Sequence, residues 1–174
     1  MKLELQLVPK SSWYTNLRTA MGLHWTQLSR QIRNGADCTC KYCGWKETYE
    51  TRENWEYTHL HELWEFKAET GIQKLIGFEC VCPDCHMIHH WGLAEVKGLD
   101  LNKLLEHACK VNGCTKEEFK KHISDSFEEW QRRSERKWQV DLGEWKHLVG
   151  DANGQDGNGS NTRAPGKVYR SRQA

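Results

Sequence analysis

The sequence predicts an α+β fold: a small metal-clasped core of strands and one short helix, surrounded by amphipathic helices. Three observations carry this. Two C-x2-C pairs, Cys40/Cys43 and Cys82/Cys85, are separated by 38 residues, and two such knuckles together close a tetrahedral site of four thiolates. Between the pairs lie stretches rich in Tyr, Trp, Thr and His, suited to strands. Downstream, apolar residues recur at helical spacing in two long runs.

The elements follow in order. Around Leu17 to Ile32, Trp25, Leu28 and Ile32 recur at spacings of three and four and the run stops at Asn34-Gly35, which predicts a short helix. "DCTCKYCGW" reads as a tight knuckle. Thr48 to Phe66 suits a twisted hairpin, with "THLHELWEF" alternating as a strand, and "GIQKLIGFECV" reads as a second strand or a loop. Pro83 fits the first turn of a helix, where its missing N–H is not needed. Leu101, Leu104, Leu105 and Ala108 form one stripe closed by Asn112-Gly113. Thr115 and Glu118 are spaced as a capping box ahead of Phe119, Ile123, Phe127 and Trp130. These two helices are expected to pack on the metal-bound unit, with their mixed charges as a solvated face. From Gly150 onward apolar residues are almost absent until Val168-Tyr169, which predicts a disordered tail, weakly positive through Lys167, Arg170 and Arg172. The resulting divisions are 1–37, an N-terminal helical region; 38–98, the zinc-stabilised core; 99–148, helices packed on it; and 149–174, the tail.

With 174 residues the chain suits one domain rather than two. Its hydrophobic content of 37% and mean hydropathy of −0.84 are low, so burial alone leaves a thin margin; nine Trp and a bound metal would widen it. No apolar run approaches the roughly 20 residues of a membrane span, and "MKLELQLVPK" lacks a signal peptide's apolar stretch. The expected location is therefore the cytoplasm, without membrane association. In a reducing compartment the eight cysteines are suited to thiolate ligation rather than disulfides. Residues 1–46 carry seven Lys/Arg against two Asp/Glu, and 47–79 carry three against eight. A basic N-terminal face can meet phosphate, but a net charge of +1 is too small for nucleic-acid binding by charge alone.

Cys40, Cys43, Cys82 and Cys85 are thus the candidate ligands of a structural Zn2+, a closed site without an open position for hydrolysis. Cys38 and Cys80, two residues upstream of each pair, are spare thiols or exchangeable ligands; Cys109 and Cys114 read as ordinary cysteines. His86 and His90, four apart, present both imidazoles on one helical face. His59 and His61 share one face of the predicted strand, and Glu62 points the other way. Packed together, strand and helix would make a single-metal phosphodiesterase centre, with one His to deprotonate water and a metal to hold the scissile phosphate. The alternative is that these histidines are structural or hold a second zinc.

The order C-x2-C, a strand His, then C-x2-C-H-x3-H resembles the zinc-stabilised HNH endonucleases of the ββα-metal (His-Me finger) family, carried by Cys40, Cys43, His61, Cys82, Cys85, His86 and His90. "VPKSSWYTNLR", "LHELWEF" and "LIGFECVCPDCHMIHHWGLAEV" are similar to a subgroup of bacterial and phage HNH-like proteins. The resemblance covers residues 8–96 and, more loosely, the helices to Trp145. It implies a ββα-metal core and a DNA endonuclease with His61 as general base and Glu62 beside it. It also implies His86 and His90 as ligands of a catalytic Mg2+, Mn2+ or Ni2+, to which His59 is a further candidate ligand. Arg18, Arg30, Arg33 and Lys41 would hold the DNA backbone, with the helix against the minor groove. Two positions depart from the pattern. Leu60 stands where many members carry Asp or His before the base, and Gly77 stands at the middle Asn; His59 or Glu62, and Gln73 or Asn54, are the candidate substitutes. Two other functions remain open: a catalytically silent zinc module that binds nucleic acid or a phage or host protein, such as an inhibitor or assembly factor, and a purely structural zinc protein.

Overall fold

The computed structural model describes residues 1–12, 17–54 and 56–149. Its helices are α1 (Leu17–Met21), α2 (Leu23–Gly35), α3 (Tyr49–Glu53), α4 (Pro83–His89), α5 (Trp91–Val96), α6 (Leu101–Asn112) and α7 (Lys116–Ser134). Its strands are β1 (His59–Lys67), β2 (Ile72–Val81) and β3 (Gln139–Asp141), in the order β1-β2-β3. β1 and β2 form an antiparallel hairpin, and β3 joins β2 in parallel. The architecture is mixed α+β, with a three-stranded sheet and a group of four cysteines near enough to bind a metal.

The hairpin places two functional stretches opposite each other: His59 pairs with Val81 and His61 with Glu79. Between Leu63 and Trp64 the register shifts, leaving Ile76 as the extra residue of a bulge beside Gly77, so β2 bends there. At the turn, Gly71 has φ +69°, and a Cβ would lie 2.8 Å from the Arg136 guanidinium. The positive φ favours glycine, and any side chain there would also displace the Arg136 guanidinium. β3 follows from the same contact, since Arg136 precedes it and donates to the Ala68 carbonyl.

Two apolar clusters flank the sheet. The larger gathers Leu3, Val81, Ile88, Trp91, Leu104 and Phe119 around Cys40, Cys82 and Cys85. The smaller joins Leu17, Met21 and Leu28 to Leu60 and Leu75. Several expected elements are found: a strand from His59, a helix opened by Pro83, Gly113 in the left-handed region (φ +64°) closing α6, and a reciprocal Thr115/Glu118 capping box opening α7.

Two expectations are corrected. Residues 48–53 do not belong to a hairpin: Thr48 and Thr51 form a reciprocal cap that starts α3, a local bond the strand alternative cannot offer. The expected first helix is split at Gly22 (φ +51°) into α1 and α2. Within 1–37 the described helices are a 3-10 turn at Lys10–Ser12, α1 and α2, and Leu3 and Leu5 are buried ahead of them. The expected tail from 150 onward lies outside the described residues.

Asn112 clamps that N-terminal segment. Its Oδ1 accepts from the backbone N–H of Lys2 (2.8 Å) and Leu3 (2.9 Å), and its Nδ2 donates to the Leu3 carbonyl (2.9 Å). Leu3 is fully buried, so Asn112→Ala strands the Leu3 N–H and carbonyl and is expected to cost about 2–3 kcal/mol. A thermal melt lowered by roughly 5–10 °C would confirm it; an unchanged melt would refute the clamp.

Candidate metal centres

The four cysteines come together because two knuckles face each other. At the first, Cys40 N–H bonds the Trp45 carbonyl and Gly44 N–H bonds that of Cys40. At the second, Cys82 follows the last residue of β2 and caps α4, its sulfur accepting from Cys85 N–H. All four Sγ atoms lie within 4.8 Å of one another, and those of Cys43 and Cys82 are 3.5 Å apart. A tetrahedral zinc with Zn–S bonds of about 2.3 Å spaces its sulfurs about 3.8 Å apart, so the group fits a structural zinc. Hydrogen bonds from Cys82 and Cys85 pull the Cys40 thiol far down, and their bonding to Cys40 pushes their own thiols up. Such a set cannot ionise together unless a cation is present. His107 Nε2 lies 3.2 Å from Cys85 Sγ and adds an imidazole contact.

A second group stands beside the first. Sequence order puts His86 directly after Cys85, and the turn of α4 brings His90 over it, with His90 N–H bonded to the His86 carbonyl at 3.2 Å. β1 supplies His61. Ligand nitrogens of His61, His86 and His90 lie within 4.8 Å of one another. Their rings meet edge-on, with centroids 4.7–5.5 Å apart and interplanar angles of 74–86°. His61 is 1% exposed, yet neither of its ring nitrogens has a hydrogen-bond partner among the described residues, and Nδ1 of His86 also lacks one. Buried polar atoms without partners are costly, and convergent ones fit a cation. Burial, reinforced by the neighbouring imidazoles, holds His61 well below the usual histidine range, His86 down to about 2 and His90 to about 4. All three are therefore neutral near pH 7, the state that ligates metal.

The remaining expected residues are distributed unevenly. His59 is exposed and outside the group, although its ring stacks on His86 at 4.7 Å. Glu62 lines the same cavity as the histidines, and burial raises its carboxyl. Leu60 turns into the α1/α2 cluster, which explains its apolar character. Gln73 also lines the cavity, whereas Asn54 is an exposed residue closing α3. Of the basic residues, Arg18 and Arg30 are exposed, Lys41 pairs with Glu79, and Arg33 turns inward to Glu47 at 2.8 Å.

Sequence reasoning missed His89. It is 1% exposed, stacks flat on His61 with centroids 4.2 Å apart, and its Nδ1 donates to the Glu4 carbonyl at 2.7 Å. That bond fixes its ring, which in turn fixes the plane of His61. Tyr42, bonded to Glu79, meets His89 edge-on. The only hint was the crowding of three histidines into residues 86–90. No protein-family model, no curated protein and no solved structure matches the chain.

Proposed function

We propose that the chain is a divalent-metal-dependent endonuclease of HNH type that hydrolyses DNA phosphodiester bonds. The observation that carries this is the convergence of His61, His86 and His90, with unpartnered buried nitrogens, as a group separate from the cysteine clasp and on the wall of a cavity. A closed set of four thiolates serves the fold, whereas three imidazoles leave a position open for chemistry. When bound there, a divalent ion supplies charge stabilisation for the scissile phosphate and a water of lowered pKa.

The family resemblance implies His61 as the base, with His59 as a candidate ligand. The convergence favours His61 as third ligand instead, with His59 steadying the His86 ring from outside. Glu62 then becomes the base candidate, since it lines the cavity and a carboxyl raised by burial is a better proton acceptor. His89 keeps the His61 ring in plane. Arg18, exposed at the cavity, is the available cation for the nucleic-acid backbone; Arg33 and Lys41 have carboxylate partners.

Supercoiled plasmid, incubated with Mg2+, Mn2+, Ni2+ or Zn2+, is expected to be nicked. His86→Ala should reduce nicking to background and Glu62→Gln should slow it about 10²–10⁴-fold, with both variants keeping the metal of the cysteine clasp. No nicking by folded wild-type protein under any of these ions overturns the reading. A silent zinc module is the second reading, favoured by Leu60, which offers the histidine group no side chain; it would bind plasmid or a protein partner without cutting.

A further inference from the structure

The cavity beside the histidines is far larger than a metal ion requires. It measures about 1200 Å³, above the roughly 300–1,000 Å³ of clefts that take drug-sized ligands. Because β1 is an edge strand, residues from both of its faces line the space: His59 and His61 on one, Glu62 and Trp64 on the other. One cavity is thus lined both by the histidine group and by a wall of flat rings. Trp25 on α2, Trp64 on β1 and Trp130 on α7 belong to that wall, with Tyr57 and Phe127.

Besides the histidines, two glutamine oxygens there lack a partner among the described residues. Gln73 is 1% exposed, and its Oε1 has no hydrogen-bond partner among the described residues; Gln6, on the same wall, has an Oε1 in the same state. A buried amide oxygen without a donor suits a ligand that brings one.

Resting on the phosphodiesterase reading of the histidines, we propose that this cavity takes an unpaired nucleotide of a single-stranded or locally melted polynucleotide. Its phosphate lies at the histidine group and its base stacks on the aromatic wall, while the Gln73 Oε1, farther along the hairpin opposite Phe66, accepts from a neighbouring base of the same strand. A base inside a duplex has both faces covered by its neighbours, so it cannot use such a wall; an unpaired base can, whatever its identity. The Gln73 Oε1, an acceptor without a donor, suits an N–H on the edge of a base. An apolar peptide would satisfy the walls but gives the histidine group and Arg18 no phosphate to meet.

The test is tryptophan-emission titration of the full chain, loaded with zinc and free of other divalent ions. The probes are a DNA 12-mer, its duplex and an apolar peptide of similar length. The single strand is expected to quench emission and to bind at least about tenfold more tightly than the duplex. Trp25→Ala should weaken single-strand binding about tenfold or more. Trp25 also packs against Phe78 and its loss could perturb the fold, so Leu93→Glu serves beside it. Leu93 is a cavity residue 45% exposed to solvent, and a negative charge there should also weaken single-strand binding.

Equal or tighter duplex binding, quenching by the peptide alone, or indifference to Leu93→Glu would overturn the proposal. Plasmid nicking separates the two failures. Nicking without single-strand preference sinks the cavity assignment and keeps the endonuclease, whereas single-strand binding with no nicking keeps the cavity assignment and sinks the hydrolysis.

Discussion

Cys40→Ala is expected to release the metal of the clasp and unfold most of the chain. The residue is 2% exposed and belongs to the larger apolar cluster together with Cys82 and Cys85, so the clasp lies inside the core and not on its rim. Structural zinc contributes about 10–16 kcal/mol in small zinc domains, while a whole domain's margin is about 5–15 kcal/mol. Losing one of four thiolates therefore removes an amount comparable to the total. The damage should spread to the histidines, because Cys82 caps α4 and α4 carries His86. Metal content and a chelator-dependent melt of the parent provide the check. A variant that holds one equivalent of zinc, or melts within a few degrees of the parent, would show that the four thiolates do not hold the fold.

The second large effect concerns Glu47, whose side chain is fully buried. Arg33 Nη2 donates to both carboxylate oxygens (2.8 and 3.1 Å), Arg52 Nε donates at 2.5 Å, and the Thr58 N–H and hydroxyl each donate at 2.8 Å. Burial alone would raise this carboxyl, but the bonds from Thr58, Arg33 and Arg52 outweigh it and hold it at about 2, against 4.5 for the free side chain. A depressed folded-state value means that the stabilisation is complete above pH 4.5 and is lost as pH falls toward 2. Its size is about 3 kcal/mol by linkage. Glu47→Gln is expected to lose that amount at pH 7, and the gap between parent and variant should close between pH 4.5 and 2. Comparing the two proteins by urea unfolding across that range cancels the groups they share. A gap that stays constant with pH would mean that Glu47 contributes by shape and not by charge. The consequence reaches the candidate site, since Thr58 immediately precedes His59 and the latch fixes where β1 begins.

Some features needed only short-range chemistry and were legible from the residues. The cysteine spacing picked out the clasp group, Pro83 opened a helix, Asn112-Gly113 closed one, and Thr115 with Glu118 capped another. The spacing of His86 and His90 likewise put both rings on one turn. Thr48 misled because the same residue types serve a strand and a cap, and the choice fell to a bond with Thr51. Gly22 misled because periodicity continues across a glycine whose backbone does not.

What the sequence by itself determined is therefore the inventory: four thiols in two knuckles, histidines at strand and helix spacings, and amphipathic helices to cover them. What only the tertiary structure decided is which of those groups meet. His61 joins His86 and His90 while His59 stays outside, His89 stacks on His61, and Arg33 serves Glu47 in place of a solvent-facing role. Each of these depends on the hairpin register and on how α2 and α4 pack against β1, contacts between residues far apart in the chain that no local pattern encodes.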